Sequence, residues 1–452
     1  MATIILKNKR VRGLVLVILG LLIVSTPGFS QTGMTKVACR VETDRDVLPA
    51  GDSQTVVIKV TLDAPPAPVT KTRPAVNLSL VLDRSGSMGG DKIEKAREAA
   101  IEAVRHLGPQ DIFSLVVYDE NVNTIIPAQS VENIEFIISK IRMIEPGGST
   151  ALFGGVSQGA AEIRKHLSGN FVHRIILLSD GLANVGPQTP EDLGRLGASL
   201  IKENISVTTV GVGTDYNEDL MARLSQKSDG NIYFVEKSGD LPGIFTAELG
   251  SVLNVVAKQV KLIIEVPEYV TPLSIIGREG RITGRQVELF MNQLYGNQEK
   301  YALVEVRLPE TKNGKKMEIA RARVYYENPF TKKREQNEGM KVAIFSRDED
   351  TVKQSTNVSV VREYQLNLNA LAQEKAIILS DKGQKKEAVE TLKTSAAQLK
   401  SLGSVYDDEK MMEEADALEK KADLIEKEGM SKKSRKVLRT ESYQMKNQQY
   451  EK

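Results

Sequence analysis

Leu80-Val81-Leu82-Asp83-Arg84-Ser85-Gly86-Ser87-Met88 sets one carboxylate and two hydroxyls at alternate positions directly after an apolar strand. A tight turn at this point aims Asp83, Ser85 and Ser87 inward, and Gly86 lets the backbone curl close to whatever they surround. Two further stretches supply oxygens of the same kind. Gly147-Gly148-Ser149-Thr150 offers Thr150, and Ile175-Ile176-Leu177-Leu178-Ser179-Asp180-Gly181 offers Asp180 at the end of a second apolar run. Carboxylates and hydroxyls without a thiolate or an imidazole are the donor chemistry of a hard divalent cation. Two carboxylates balance its charge, so Mg²⁺ is the expected ion; Mn²⁺ fits the same donors, and Ca²⁺ is less favoured by so few carboxylates. Taken singly, each of the five residues reads as a helix cap or turn former. Their joint occurrence points to a metal site.

Outward from these stretches, apolar strands alternate with amphipathic segments. Ile93, Ala96, Ala100, Val104 and Leu107 recur at three- and four-residue steps, which predicts a helix over 91–107, and strands are expected at 112–118, 174–179, 206–211 and 232–235. The alternation is that of a largely parallel sheet covered by helices on both faces. Ligands of such sheets sit outside the carboxyl ends of the strands, where Asp83 and Asp180 both fall, while Thr150 lies in a connecting loop.

Asp-x-Ser-x-Ser after a buried strand, a Thr in a Gly-rich loop and an Asp in a Ser-Asp-Gly turn together resemble the metal-ion-dependent adhesion site of von Willebrand factor type A (VWA) domains. Leu115-Val116-Val117-Tyr118-Asp119 and Thr208-Thr209-Val210-Gly211-Val212-Gly213 are similar to later strands of that family, and the resemblance covers 73–250. It implies a doubly wound, Rossmann-like α/β domain. It also implies that Asp83, Ser85, Ser87, Thr150 and Asp180 hold the ion directly or through water. Neutral hydroxyls would leave the cation electrophilic, with a position for an Asp or Glu of a partner protein.

At 452 residues the chain exceeds what one hydrophobic core serves, so two or three domains are expected. Lys7, Lys9, Arg10 and Arg12 precede an apolar run at 14–24, followed by small residues up to Ser30, the pattern of a signal peptide over 1–30. Strands are expected at 37–42 and 55–61 within 31–72, ahead of a Pro-rich connector at 63–68. More are expected at 260–266, 287–291, 301–308, 317–326 and 340–346 within 251–350, with Lys312-Asn313-Gly314 read as a hairpin turn. Two strands alone make no stable sheet. The flanks are therefore expected to pair into one β-sandwich, with the α/β domain inserted in it. Composition then shifts to Ala, Glu, Lys, Leu and Gln, with helices expected at 360–380, 384–402 and 407–428 in an α-helical region over 351–430. The segment 376–402, broken at Asp381-Lys382-Gly383, resembles a single tetratricopeptide-like hairpin, and 431–452 reads as a basic, partly disordered tail.

Net charge of +2 and the lack of a basic block with interleaved aromatics argue against nucleic acid as a partner. Cys39, the sole cysteine, excludes an intrachain disulfide and reads as a buried strand residue. No phosphate-cradling loop or nucleophile elbow occurs, and an aspartyl-phosphate site would need a second Asp where Ser85 stands. His106, His166 and His173 lie in no triad motif, and Arg84 is expected to be solvated, the alternative being a salt bridge to an acidic ligand. The leading expectation is a non-enzymatic, exported module of the periplasm, cell surface or exterior that binds an acidic protein partner through Mg²⁺, touching membrane only if 1–30 stays uncleaved. The alternative is a scaffold of an envelope complex whose main contacts are made by the C-terminal helices; a metal-dependent hydrolase ranks third. The layout resembles, more loosely, exported proteins likened to inter-alpha-trypsin inhibitor heavy chains or calcium-activated chloride channel regulators, with no channel activity implied.

Overall fold

In the computed structural model, described over residues 36–68, 73–167 and 170–449, the alternating segments at the start form β1 (Ala38–Thr43), β2 (Val47–Pro49) and β3 (Gln54–Asp63). β1 and β3 pair antiparallel, with Val41 opposite Val60. The expected leader at 1–30 lies outside the described residues.

From β3 the chain enters the α/β domain: β4 (Ala75–Asp83), α1 (Asp91–Arg105), β5 (Ile112–Tyr118), β6 (Val122–Ser130), α2 (Ile134–Arg142), α3 (Leu152–Arg164), β7 (Phe171–Ser179), α4 (Pro190–Leu200), β8 (Ile205–Val212), α5 (Glu218–Ser228), β9 (Ile232–Val235) and α6 (Leu241–Val252). The sheet order is β6-β5-β4-β7-β8-β9, parallel except for β6. Helices cover both faces, so β4, β5, β7 and β8 are buried along nearly their whole length, and that is why they read as continuous apolar runs. The winding reverses at β4, which has β5 on one side and β7 on the other. Connections from the carboxyl ends of β4 and β7 therefore diverge and leave a crevice between them.

The chain leaves α6 into β10 (Val255–Glu265), β11 (Thr271–Ile276), β12 (Arg281–Thr283), β13 (Gln286–Tyr295), β14 (Glu299–Leu308), β15 (Lys316–Asn328) and β16 (Lys333–Ser346). These join the first three strands in two sheets, β1-β3-β14-β11 and β12-β13-β10-β15-β16-β2. The inner faces meet in one core that includes Ile58, Val60, Leu62, Val260, Leu262, Val304, Val306 and Val324. The sandwich is thus built from both flanks of the α/β domain. One expectation fails. Lys312-Asn313-Gly314 does make a turn, with Gly314 at φ +75°, but it makes no hairpin, because β14 and β15 belong to opposite sheets and the turn carries the chain across the core between them. β11 and β12 escaped prediction as half-exposed or exposed edge strands, β11 holding Pro272 where no ladder donor is available.

The remaining segment forms α7 (Glu349–Gln354), α8 (Val358–Asp381), α9 (Lys385–Tyr406), α10 (Glu409–Glu428) and α11 (Lys432–Asn447). Side-chain caps from Asn357, Asp408 and Ser431 start α8, α10 and α11, and Gly383 at φ +77° turns α8 into α9. Ala376, Ala388, Leu392, Leu418 and Leu438 share a core, and Val360 packs with Val57, Tyr301 and Leu303 of the sandwich. The expected basic, partly disordered tail over 431–452 is corrected over its described helical part, while 450–452 lie outside the described residues. Positions 432–447 are helical, with Leu438 and Tyr443 buried, because α11 seats against both the other helices and the α/β domain. No helix among the described residues is long and apolar enough to cross a membrane.

Candidate metal centre

All five expected donors lie at the carboxyl end of the inserted sheet. Asp83 ends β4, Ser85 and Ser87 occupy the turn before α1, Thr150 stands just ahead of α3, and Asp180 follows β7. Asp83, Ser85, Thr150 and Asp180 are buried, whereas Ser87 is exposed. Backbone bonds knit the loops together: Arg84 N–H donates to Tyr118 O at 2.9 Å, Gly86 N–H to Gly148 O at 3.0 Å, Gly147 N–H to Arg84 O at 2.7 Å, and Asn184 N–H to Thr150 O at 3.1 Å.

The hydroxyls converge on Gly181. A Cβ placed there would lie 3.2 Å from Thr150 Oγ1, 3.3 Å from Ser87 Oγ and 3.8 Å from Ser85 Oγ. Any side chain at this position would project into the space the three hydroxyls share, so glycine keeps that space open. The carboxylates border the same group. Ser87 Oγ donates to Asp180 Oδ1 at 2.7 Å and stands 3.1 Å from Ser85 Oγ, and Ser85 N–H donates to Asp83 Oδ1 at 2.8 Å. Burial pushes the Asp83 carboxyl up to about 6, opposed by hydrogen bonds from Ser85 and Ser179 and assisted by the nearby Asp180 charge. An anion held in so dry a place is stabilised by a cation, and the oxygen-only donors suit a divalent one. Among the described residues no cluster of three or more His, Cys, Asp or Glu offers a different metal site.

Three contacts at the site had no reading in the sequence, and a fourth departs from the one it had. Ser179 Oγ donates to Asp83 Oδ2 at 2.7 Å, and Lys92 Nζ, in the first turn of α1, donates to Asp180 Oδ2 at 2.5 Å. Asn184 Oδ1 accepts from Thr150 N–H at 2.8 Å. Arg84, expected to be solvated, instead pairs with Asp119 at 2.6 Å, because the turn after β4 runs beside the end of β5. A serine closing the run 175–178 was a usable signal for Ser179. Nothing in the spacing pointed to Lys92.

In comparison with known proteins, residues 77–247 match the family model described as von Willebrand factor type A domain. The chain carries a VWA domain. Relatives include the uncharacterized protein YfbK of Escherichia coli, 29% identical over 46% of this chain and 37% of that protein. Human inter-alpha-trypsin inhibitor heavy chain H4 is 27% identical over 38% of this chain and 20% of its own length. The chain thus spans well under half of these two relatives. Among solved structures, a von Willebrand factor type A protein from Catenulispora acidiphila superposes with a TM-score of 0.65 over 83% of this chain and 88% of that one, at 17% identity. The ArnB paralog VWA2 from Sulfolobus acidocaldarius gives 0.61 over 91% and 98%, also at 17% identity. Both show the fold, and they extend well beyond the VWA domain into the sandwich and helices. VWA domains commonly mediate protein–protein interaction, some through a metal-ion-dependent site.

Proposed function

We propose that this VWA domain binds a protein partner through a Mg²⁺ ion held by Asp83, Ser85, Ser87, Thr150 and Asp180, in a non-enzymatic module exported to the cell envelope or exterior. The observation that carries the reading is the convergence of three hydroxyls on the glycine-kept space at Gly181, with both carboxylates alongside. When bound, the ion would offer a Lewis-acidic position to a carboxylate of the partner. The chain's own residues orient the donors: Ser179 and the Ser85 amide hold Asp83, and Lys92 neutralises Asp180 when no other cation does so. Tied to Asp119, Arg84 leaves the incoming acid to the ion. Leu182, more than half exposed two residues after Asp180, gives the site an apolar rim. Export rests on the leader pattern at 1–30.

Calorimetric titration of the purified chain with Mg²⁺, Mn²⁺ and Ca²⁺ tests the reading. Saturable Mg²⁺ binding that Asp83→Ala abolishes is expected, with partner capture lost on chelation. Heat indistinguishable between wild type and Asp83→Ala would sink it. The scaffold alternative is favoured by Ile378, Val405 and Leu424, which stand exposed on α8, α9 and α10. Capture that survives Asp83→Ala but fails with Ile378→Glu and Leu424→Glu would select it.

A further inference from the structure

Alternate residues of β14 share one face. Ala302, Val304, Val306 and Leu308 point into the sandwich core, and Lys300 takes the first place in that row. A lysine where the two-residue period calls for an apolar side chain breaks a local rule. Lys300 is only 7% exposed, and no carboxylate or other acceptor among the described residues bonds its ammonium group. The two neighbouring buried cations are provided for: Arg278 faces Asp229 at 3.9 Å and Arg174 faces Glu248 at 3.6 Å. Burial lowers the Lys300 ammonium to about 8, with Asp229 opposing and Arg278 and Arg174 assisting. An unpaired charge is unfavourable in so buried a place, and an anion beside it would relieve that.

Lys300 lines a cavity of about 700 Å³ where the VWA domain, the sandwich and the helices meet. That volume lies within the roughly 300–1,000 Å³ of small-molecule sites. Its wall carries Tyr233 and Asn231 from the VWA domain, Tyr295 and Tyr301 from the sandwich, and Gln444 and Gln448 from the C-terminal segment, a surface rich in amides and phenols. Two carboxylates on the wall already have cations. Glu299 faces Lys59 and Arg40, each at 3.4 Å, and Glu363 pairs with Lys59. Among the described wall residues Lys300 is the buried cation that no acceptor bonds, whereas Lys410 is exposed to solvent; one buried positive charge suits a ligand with a single negative charge, and a dianion would bring a second charge close to Glu299 and Glu363.

We infer that this cavity binds a small hydroxylated monocarboxylic acid, whose carboxylate pairs with Lys300 and whose hydroxyls meet the surrounding amides and tyrosines. Its walls come from all three modules, so occupancy stabilises their assembly by mass action. The inference does not depend on the metal site.

Thermal unfolding and calorimetry of the full chain with sodium gluconate and sodium glycerate test it, with sodium chloride at matched ionic strength and inorganic phosphate as controls. A saturable rise in Tm with at least one acid is expected, absent in Lys300→Met and retained in Asp83→Ala. Lysine footprinting by reductive methylation, read by mass spectrometry on the wild-type chain, needs no variant: labelling of Lys300 should fall at least severalfold with saturating acid. Three results would overturn the inference: Tm shifts no larger than those of chloride, tighter binding of phosphate than of either acid, or Lys300 labelling that the acids leave unchanged.

Discussion

At the scale of single residues, Asp83 and His173 titrate in the same pH window with opposite consequences. Burial raises Asp83 to about 6, above the ordinary value of about 3.9 for aspartate. The native state therefore holds a proton the unfolded chain has released, and stability falls as pH rises from about 4 to 6. His173 is lowered to about 4 by burial and by the Lys258 charge, so its share of stability is complete above about 6.5 and is lost as pH falls toward 4. In chelator the two largely cancel. Denaturant titrations from pH 4 to 7 should show a rise of a few kcal/mol with pH in Asp83→Asn and a fall of similar size in His173→Gln. Parallel profiles for both variants and the wild type would refute the assignment. The same proton competes with the proposed Mg²⁺, whose affinity should drop about tenfold per pH unit below about 6. The five donors were legible because Asp83, Ser85, Ser87 and Asp180 sit at fixed offsets from strand ends and Thr150 lies in a Gly-rich loop. Lys92 was not, since its role arises only when α1 swings its first turn over Asp180.

At the scale of elements, α11 shows why a polar sequence can hide a packed helix. Its buried positions include Lys436, Thr440, Ser442 and Lys446 beside Leu438 and Tyr443, so no apolar stripe marks its inner face. Partners replace hydrophobicity. Lys436 meets Glu218 at 2.8 Å and lies 4.6 Å from the centre of the Tyr216 ring, Arg439 meets Asp219 at 2.8 Å, and Tyr443 Oη donates to Gly230 O at 2.6 Å. The segment also closes an open sheet edge. Gln449 Oε1 accepts from Ile232 N–H at 3.1 Å, and Gln444 Nε2 donates to Ile232 O at 3.0 Å, satisfying backbone groups on the outer strand β9. Leu438→Ala should cost about 2–5 kcal/mol, and Tyr443→Phe about 1–3 kcal/mol through the unsatisfied carbonyl. Faster hydrogen exchange at β9 in Tyr443→Phe would locate that loss. Unchanged exchange there would mean that α11 does not guard the edge.

At the scale of the whole molecule, the insertion was legible because strands on both flanks lacked partners of their own. The route between the sheets was not, since a turn such as Lys312-Asn313-Gly314 is chemically the same in a hairpin and in an arch. Nor does a sequence reveal how firmly an inserted domain is fixed, which here depends on Arg174. This fully buried side chain of β7 donates to Gln293 Oε1 at 2.7 Å and Tyr295 Oη at 2.8 Å, both on β13 of the sandwich, and to Thr208 Oγ1 at 3.2 Å within its own sheet. Glu248 of α6 lies 3.6 Å away and accepts from Tyr233 and Asn231, so one charge pair serves both modules. Removing one member of such a pair costs about 3–5 kcal/mol because the other stays buried and charged. Arg174→Met should therefore destabilise the chain by that amount, and adding Glu248→Gln should restore part of it. If the contact welds the modules, calorimetry of the wild type gives one cooperative transition, and Arg174→Met splits it in two. A wild-type chain that already melts in two steps, or a double variant no more stable than Arg174→Met alone, would mean that the VWA domain and the sandwich fold independently and that this pair lies between them without joining them.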